Sequence, residues 1–378
     1  MPSETRLAAL VLAGGYSSRM QRFKPLLDLN GSTVIENTIG SFRSAGVDRV
    51  TVVVGYRGEA LRPLLDGLGV RCVWNADYDQ GMYSSVACGA RSLEADVEGC
   101  FVLPADMPLV RSHTVRLISR EYRKSAAPVV YPVFRGQRGH PPLIDSRLFP
   151  AISRGAGAGG LRPLLAEHEG LARQVEVLDE GVLVDLDTPA DYPKAVAMHA
   201  RRDIPTAAEC EAILAARKVP EAVVRHGELV SRIALRIAER LNGAGLELDV
   251  ALIGAAGLLH DLAKGVPDHA RAGARALKRL GYPSVSRVVA AHTDIEYDGG
   301  RLDEAAIVYV ADKLVQGDRL VSIDERFRGA LERFGADPVV GQVVQGRLQN
   351  ARAIAGAAER ITGAKLQELV EGERARRG

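Results

Sequence analysis

The sequence predicts an α/β domain built on a mostly parallel sheet, followed by an all-α domain. Three observations carry this. Through the first half, short β-branched runs alternate with segments of helical apolar period, the pattern of a parallel sheet covered on both faces. After about residue 200 the strand pattern ends, and the later apolar segments keep helical spacing. At 378 residues the chain exceeds what one hydrophobic core usually supports, and each half is long enough to fold alone.

In chain order, LAALVLA (7–13), RVTVVVG (49–55), VRCVW (70–74) and CFVLPA (100–105) read as buried strands, with helices near 33–45, 84–94 and 112–124. Further strands are expected at PVVYP (128–132), HPPLI (140–144), ARQVEVL (172–178) and GVLVDL (181–186), with RGAGAGG (154–160) as a flexible loop. The charged stretch MHARRDIPTA around 198–207, broken by Pro205, marks the boundary, so domains of 1–200 and 204–378 are expected. Helical spacing then recurs over 206–217, 221–242, 249–262, 268–280, 284–292 and 303–316, and the tail EGERARRG is expected to fray.

Composition narrows the partners. The 49 basic and 47 acidic side chains, a net charge of +2, are spread along the chain, so no basic block points to nucleic acid. Val250–Leu259, the longest uncharged apolar run, is about half the roughly 20 residues that span a bilayer. The N-terminus lacks an export pattern, since LAALVLA runs into a glycine turn rather than a cleavage site. Cys72, Cys88, Cys100 and Cys210 show no paired spacing. A reducing, cytoplasmic setting without a membrane partner is expected.

The first candidate site follows the first strand. LVLAGGYSSRMQRFKPLL (10–27) places two glycines, then serines, Arg19 and Lys24, where backbone N–H groups and cations can meet a polyphosphate. Asp106 in PADMPLV (104–110) stands at the end of a later strand, where a parallel sheet presents its ligands, and a carboxylate there can hold Mg²⁺. VDLDTPADY (184–192) offers Asp185 and Asp187 on one side of an extended stretch, although Asp187 or Thr188 could instead cap a helix starting at Pro189.

The ordered set LAGGYSSRM, Lys24, VVVGYRG (52–58), NADYDQGMYSSV (75–86), ADMP (105–108), RGHPPLI (138–144) and DLDTPADY (185–192) resembles the molybdenum cofactor cytidylyltransferases, over roughly residues 6–198. The resemblance implies a Rossmann-like nucleotidyltransferase domain. It implies transfer of CMP from CTP to a molybdopterin-type cofactor with release of pyrophosphate, with a molybdoenzyme as a candidate receiver of the product. It assigns Leu12, Ala13, Gly14 and Gly15, with Ser17, Arg19 and Lys24, to the nucleotide phosphates. Asn75, Gly81, Ser84, Ser85 and the Gly139–His140 pair fall to the cofactor side. Asp106 would hold Mg²⁺ with Asp187 as second carboxylate, and Lys24, Arg19 and Asp106 would carry catalysis. Two departures stand out. The double glycine of LAGG is typical of the related guanylyltransferases, which keeps GTP or another NTP as the alternative, and Gln21 stands where the family usually has glycine.

The second candidate site is a set of ligand-type residues on apolar helical faces. His226 shares a face with Val230, Ile233 and Ile237; His260, beside Asp261, follows Ile253 and Ala256; His269 aligns with Gly273 and Ala276; His292 with Val285 and Val289; Asp312 with Ala305 and Val308. An unpaired buried carboxylate is costly unless it pairs or binds a cation. Imidazoles combined with carboxylates suit Fe, Mn or Zn. The wording RHGELVSRIA, GLLHDLAKG and VADKL resembles the HD-domain phosphohydrolases over about residues 206–350. That resemblance implies a first metal at His226, His260, Asp261 and Asp312, further ligands at His269 and His292, and hydrolysis of a phosphoester with Asp261 in the catalytic centre and Lys264 on the substrate phosphate. The alternative for this half is a regulatory or binding module that keeps the metals without turnover.

Overall fold

In the computed structural model, which describes residues 6–20, 22–155 and 160–370, every residue of LAALVLA is buried. Alternate side chains of this strand serve opposite faces, as the period of two requires. Leu7, Ala9 and Val11 join one apolar layer with Ile39, Phe42 and Ile118, whereas Ala8, Leu10 and Leu12 join another with Val86, Ala90 and Ile152. A strand buried on both faces is the mark of a sheet between two helical layers.

The chain divides into two units, Met1–Arg201 and Arg202–Gly378. The first runs β1 (Leu7–Ala13), β2 (Asp28–Leu29), β3 (Ser32–Thr33), α1 (Val34–Arg43), β4 (Arg49–Val54), α2 (Gly58–Gly67), β5 (Arg71–Trp74), α3 (Met82–Ser92), β6 (Gly99–Pro104) and α4 (Ser112–Ser125). It continues with β7 (Val129–Phe134), β8 (Gln137–Arg138), β9 (Leu143–Asp145), α5 (Phe149–Arg154), α6 (Leu161–Ala166), β10 (Arg173–Glu176) and α7 (Asp191–Ala200). The main sheet has the order β10-β7-β9-β6-β1-β4-β5, with β8 paired to β7. β1 is parallel to β4 and β6, while β9 runs antiparallel to both its neighbours, so the sheet is mixed but mostly parallel. Register sets Leu12 opposite both Val53 and Pro104. The loops after β1, β4 and β6 therefore leave the sheet side by side at its carboxyl edge, where ligands of such sheets sit.

The second unit contains α8 (Ala207–Ala216), α9 (Glu221–Gly243), α10 (Val250–Leu259), α11 (His269–Leu280), α12 (Pro283–Ala291) and α13 (Glu304–Lys313). A hairpin, β11 (Val315–Gln316) with β12 (Arg319–Leu320), precedes α14 (Ile323–Phe334), α15 (Val340–Thr362) and α16 (Leu366–Val370). Ile307 to Ala311 on α13 are fully buried, so this helix forms the centre of the unit. α9 and α10 cross at two glycines. A Cβ on Gly227 would lie 2.6 Å from the Leu258 carbonyl oxygen, and one on Gly257 would lie 2.8 Å from Ser231 Cα. Ser231 Oγ also donates to the Gly254 carbonyl at 2.9 Å across the same crossing. This close approach sets His226, one residue before Gly227, beside the end of α10.

Four expectations change. GVLVDL (181–186) is no strand: Glu180–Leu183 forms a tight 3-10 turn, because the buried Asp179 carboxylate accepts from the N–H groups of Gly181 and Arg111 and from the Thr114 hydroxyl. The strand in HPPLI covers only Leu143–Asp145, since Pro141 and Pro142 have no N–H to pair. The helix expected over 303–316 ends at Lys313 and gives way to the hairpin, so the second unit is helical but not wholly so. Its neighbour expected over 249–262 ends at Leu259, leaving His260 as its C-cap and Asp261 in the following turn. The helix α2 had no counterpart in the sequence reading. Gln21, the tail EGERARRG and positions 156–159 of the glycine loop lie outside the described residues, and among those described no helix is long and apolar enough to cross a membrane.

Gly257→Val should destabilise the chain by about 1–3 kcal/mol, the usual cost of overpacking a close contact. Denaturant unfolding measures this; a midpoint equal to that of the parent would contradict the close crossing of α9 and α10.

Candidate functional site in each unit

At the carboxyl edge of the first unit's sheet, Leu12, Ala13, Gly14, Gly15, Ser17, Lys24, Gly81, Ser85 and Asp106 line a cavity of about 300 Å³. Lys24 is its central cation. Its Nζ donates to Asp106 Oδ2 at 2.8 Å and to Asp187 Oδ1 at 2.9 Å, while an Arg19 guanidinium nitrogen lies 2.8 Å from Asp187 Oδ2. The Lys24 side chain is 11% exposed and that of Arg19 75%, so only Lys24 is built into the wall. Burial works against the charge on Lys24, but hydrogen bonds to Asp106 and Asp187 outweigh it and raise the amine. The same bond from Lys24 holds Asp187 below the usual carboxylate range. Asp185 joins this group; burial, then the charges of Asp187 and Asp106, push its carboxyl up. Three hard carboxylates around one half-buried lysine fit a magnesium ion by donor chemistry.

Asp187 does not cap α7. Thr188 instead exchanges hydrogen bonds with Asp191, whose carboxylate accepts from the Thr188 N–H and hydroxyl, both at 2.7 Å. Asp187 is thereby left free for Lys24 and Arg19. Asn75 is buried, and its amide donates to Ser84 Oγ at 2.8 Å and Ser85 Oγ at 3.0 Å. It ties the first turn of α3 to the end of β5. Ser84 Oγ donates in turn to the Gly81 carbonyl at 2.8 Å.

A second, larger cavity of about 810 Å³ adjoins the first, sharing Leu12, Met82 and Pro104 as lining. Gly139 and His140 lie on it. Gly139 is required by close approach, because a Cβ there would meet the Val182 carbonyl oxygen at 2.4 Å. The His140 N–H donates to that same oxygen at 2.8 Å, and burial lowers the imidazole, which keeps it neutral. Sequence reasoning missed Arg138, which lines this cavity, stacks on the Tyr131 ring at 4.6 Å and pairs with Glu169. It also missed a tyrosine group at the mouth of the smaller cavity: Tyr16 lies 5.1 Å from Tyr56 and 5.5 Å from Tyr78, ring centre to ring centre. The available signal was positional, since each of the three follows a strand of the parallel edge by a few residues.

In the second unit the six ligand-type residues meet. His226 Nε2 lies 3.1 Å from Asp312 Oδ1, and His260 Nε2 lies 3.6 Å from that oxygen and 3.5 Å from Asp261 Oδ2. His269 Nε2 and His292 Nε2 approach the other oxygen of Asp261, at 3.2 and 3.6 Å. Two groups of ligand atoms result, His226–His260–Asp261 and Asp261–His269–His292, joined by one carboxylate. Orientation is imposed from behind. The Nδ1 atoms of His226, His260 and His292 pair with the carbonyls of Gly317, Gly257 and Val289 at 2.8, 2.8 and 2.7 Å, so each Nε2 lone pair faces inward. The Gly317 carbonyl comes from the hairpin after α13, which gives that unexpected element a place in the site.

Two atoms of this cluster, His260 Nε2 and Asp261 Oδ1, are buried without a hydrogen-bond partner. Burial raises Asp261, yet His260, His292 and Lys264 hold it well below the usual range; Asp312 is likewise lowered against its burial, with Lys313 the strongest partner. Burial opposes a charge on His260, but Asp261 and Asp312 raise it to about 9. Orphaned ligand atoms and concentrated negative charge fit one or two divalent cations. Lys264 Nζ sits 2.8 Å from Asp261 Oδ2 with half its side chain exposed. Lys313, which follows Asp312 in VADKL, lines the adjoining cavity of about 200 Å³ together with Arg326 and Arg347, which the motifs do not name.

Because Asp261 belongs to both groups and His269 to one, Asp261→Asn should abolish metal retention, whereas His269→Ala should remove about half of it, or leave one site weakened. Elemental analysis of both purified variants decides this; equal metal content in the two would contradict a shared carboxylate.

Two segments of the chain match known protein families. Residues 9–172 match the MobA-like NTP transferase domain and residues 223–316 the HD domain. The first half is similar to the molybdenum cofactor cytidylyltransferase of Escherichia coli (strain K12), 28% identical over 187 residues that take in 48% of this chain and 92% of that protein. It is similar also to the nicotine blue oxidoreductase of Paenarthrobacter nicotinovorans, 28% identical over 193 residues, with the same two coverages of 48% and 92%. Among solved structures it is similar to a nucleotidyl transferase from Methanothermobacter thermautotroptrophicus, 28% identical with a TM-score of 0.46, covering 52% of this chain and 98% of that one. The chain thus joins a nucleotidyltransferase-type domain of the MobA-like kind to an HD domain.

Proposed function

We infer that this chain is a bifunctional cytoplasmic enzyme: its first domain transfers CMP from CTP to a molybdopterin-type cofactor, and its HD domain hydrolyses a phosphoester. The observation that carries the first part is the Lys24–Asp106–Asp187 constellation at the mouth of a cavity that adjoins a larger one. The smaller cavity suits nucleotide phosphates; the larger, with Arg138, Tyr131 and His140, has room for a bulky acceptor. The cofactor motifs and the likeness to a protein named molybdenum cofactor cytidylyltransferase support CTP and molybdopterin. The double glycine Gly14–Gly15 favours a second reading, in which GTP is the donor.

In the transfer, an oxygen of the acceptor's terminal phosphate forms a bond to the α-phosphorus of the nucleotide. The bond from that phosphorus to the α,β-bridging oxygen breaks, and pyrophosphate leaves. Mg²⁺ held by Asp106 and Asp187 would neutralise charge on the phosphates. Lys24, kept protonated by the same two carboxylates, supplies a half-buried cation already held in place as charge develops. Arg19, more exposed, neutralises the outer phosphates. Backbone from Leu12 to Gly15 and the Ser17 hydroxyl position them.

For the HD domain, divalent Fe, Mn or Zn at the six ligands would lower the pKa of a water and neutralise charge on the phosphoryl oxygens. Water oxygen bonds to phosphorus, the ester P–O bond breaks, and the alcohol leaves with a proton. Lys264 would add a cation on the open side of Asp261, and the backbone carbonyls behind the imidazoles keep the ligands aimed during turnover. The four free cysteines support a reducing compartment.

With CTP and molybdopterin present, pyrophosphate release should fall by about 100-fold or more in Asp106→Asn and in Lys24→Ala, the scale of removing one preorganised charge. Release with GTP alone would replace the cytidylyl reading by the guanylyl one, and release with a simple sugar phosphate in place of molybdopterin would remove the cofactor assignment. Separately, the full chain loaded with Mn²⁺ should hydrolyse phosphoesters, and both chelation and Asp261→Asn should abolish this; unchanged turnover in Asp261→Asn would refute the metal-dependent reading.

A further inference from the structure

Four cations line the cavity beside the metal-ligand cluster, and three of them are matched by carboxylates. Lys264 Nζ lies 2.8 Å from Asp261, Lys313 Nζ 2.6 Å from Asp312, and Arg347 Nε 2.5 Å from Asp294. The fourth, Arg326 on α14, has no ion-pair partner among the described residues, and its Nε is buried without a hydrogen-bond acceptor. A guanidinium N–H removed from water with nothing to accept it costs desolvation free energy that the protein alone does not return. An anion entering the cavity would return it, and the fork of N–H donors on arginine matches phosphate oxygens.

Position separates this cation from the metal ligands. Arg326 and Arg347 lie on α14 and α15, beyond residues 223–316 that match the HD domain. The ligands thus come from the shared HD segment, and the unmatched cation from helices that follow it. Size then limits what the cavity takes. At about 200 Å³, with Phe327 and Val344 in its wall, it falls below the roughly 300–1,000 Å³ of pockets that bury a drug-sized ligand. A phosphoryl head fits there while the rest of an ester stays outside.

We propose that Arg326 is a specificity-determining residue that grips a terminal phosphoryl group, so that the HD domain takes phosphomonoesters rather than phosphodiesters. This rests on the hydrolase reading for turnover, but the anion site itself does not. A monoester offers three non-bridging oxygens and up to two negative charges, enough to meet both a metal centre and the arginine. A diester offers two oxygens and one charge, and carries a second organic substituent for which the cavity has no room.

The test uses the full-length chain loaded with Mn²⁺ and two measurements. Calorimetric titration with inorganic phosphate reads binding; turnover of p-nitrophenyl phosphate against bis(p-nitrophenyl) phosphate reads selectivity. Arg326→Gln should weaken phosphate binding and raise KM for the monoester by about 10- to 100-fold, the factor a charge-assisted hydrogen bond carries, with metal content unchanged. Arg326→Lys should recover part of the loss, which guards against a folding defect in the glutamine variant. Arg328→Gln, exposed on the same helix, should leave both measurements unchanged and so exclude an effect of bulk charge. If Arg326→Gln binds phosphate like the parent, or the diester turns over as well as the monoester, the proposal is overturned while hydrolysis itself stands. If no ester is hydrolysed yet phosphate binding depends on Arg326, the anion site stands and the hydrolase reading falls.

Discussion

Negative charge brought out of water organises both halves of this chain. Asp261 and Asp312 are almost sealed among histidines, and the partly exposed Asp106 and Asp187 close around the half-buried amine of Lys24. A carboxylate in such surroundings demands a cation or a proton, because the desolvation it has suffered is otherwise unreturned. In the first domain a lysine of the chain meets the demand in part. In the second the raised imidazole of His260 does so, while one oxygen of Asp261 faces His269 and His292 without a hydrogen bond.

Each arrangement is held by contacts within the chain. Asn75 anchors the first turn of α3, Val182 receives the backbone of His140 across Gly139, and Gly227 and Gly257 let α9 and α10 approach until His226 stands beside His260. Carbonyls of Gly317, Gly257 and Val289 aim three imidazoles. Positioning of this kind lets charged groups meet a phosphate without rearranging, which is where reactions at phosphorus gain most of their rate. The two clusters of charged side chains rest on different supports, a sheet edge in one unit and crossing helices in the other.

Much of this was legible in order along the chain. The strands β1, β4, β5 and β6 announce themselves by β-branched runs, and the helices of the second unit by apolar period, because both patterns report only whether successive side chains face a core. The His and Asp positions on those faces were readable for the same reason. Elements governed by a few specific bonds were not. The turn at Glu180–Leu183 looks like a strand until Asp179 is seen to bind Gly181, Arg111 and Thr114, and the hairpin after α13 is too short to leave a period.

By itself, then, the sequence determined the alternation of elements, the burial of the ligand-type residues and the motifs that order them, since these depend on local period and residue type. Which atoms meet was decided only in three dimensions. That Asp261 serves two groups of histidines, that Lys24 bridges Asp106 and Asp187, and that Arg326 alone among four cations lacks a carboxylate are relations between residues up to 163 positions apart or on different helices. Such relations follow from register and crossing geometry, and no stretch of sequence encodes them one segment at a time.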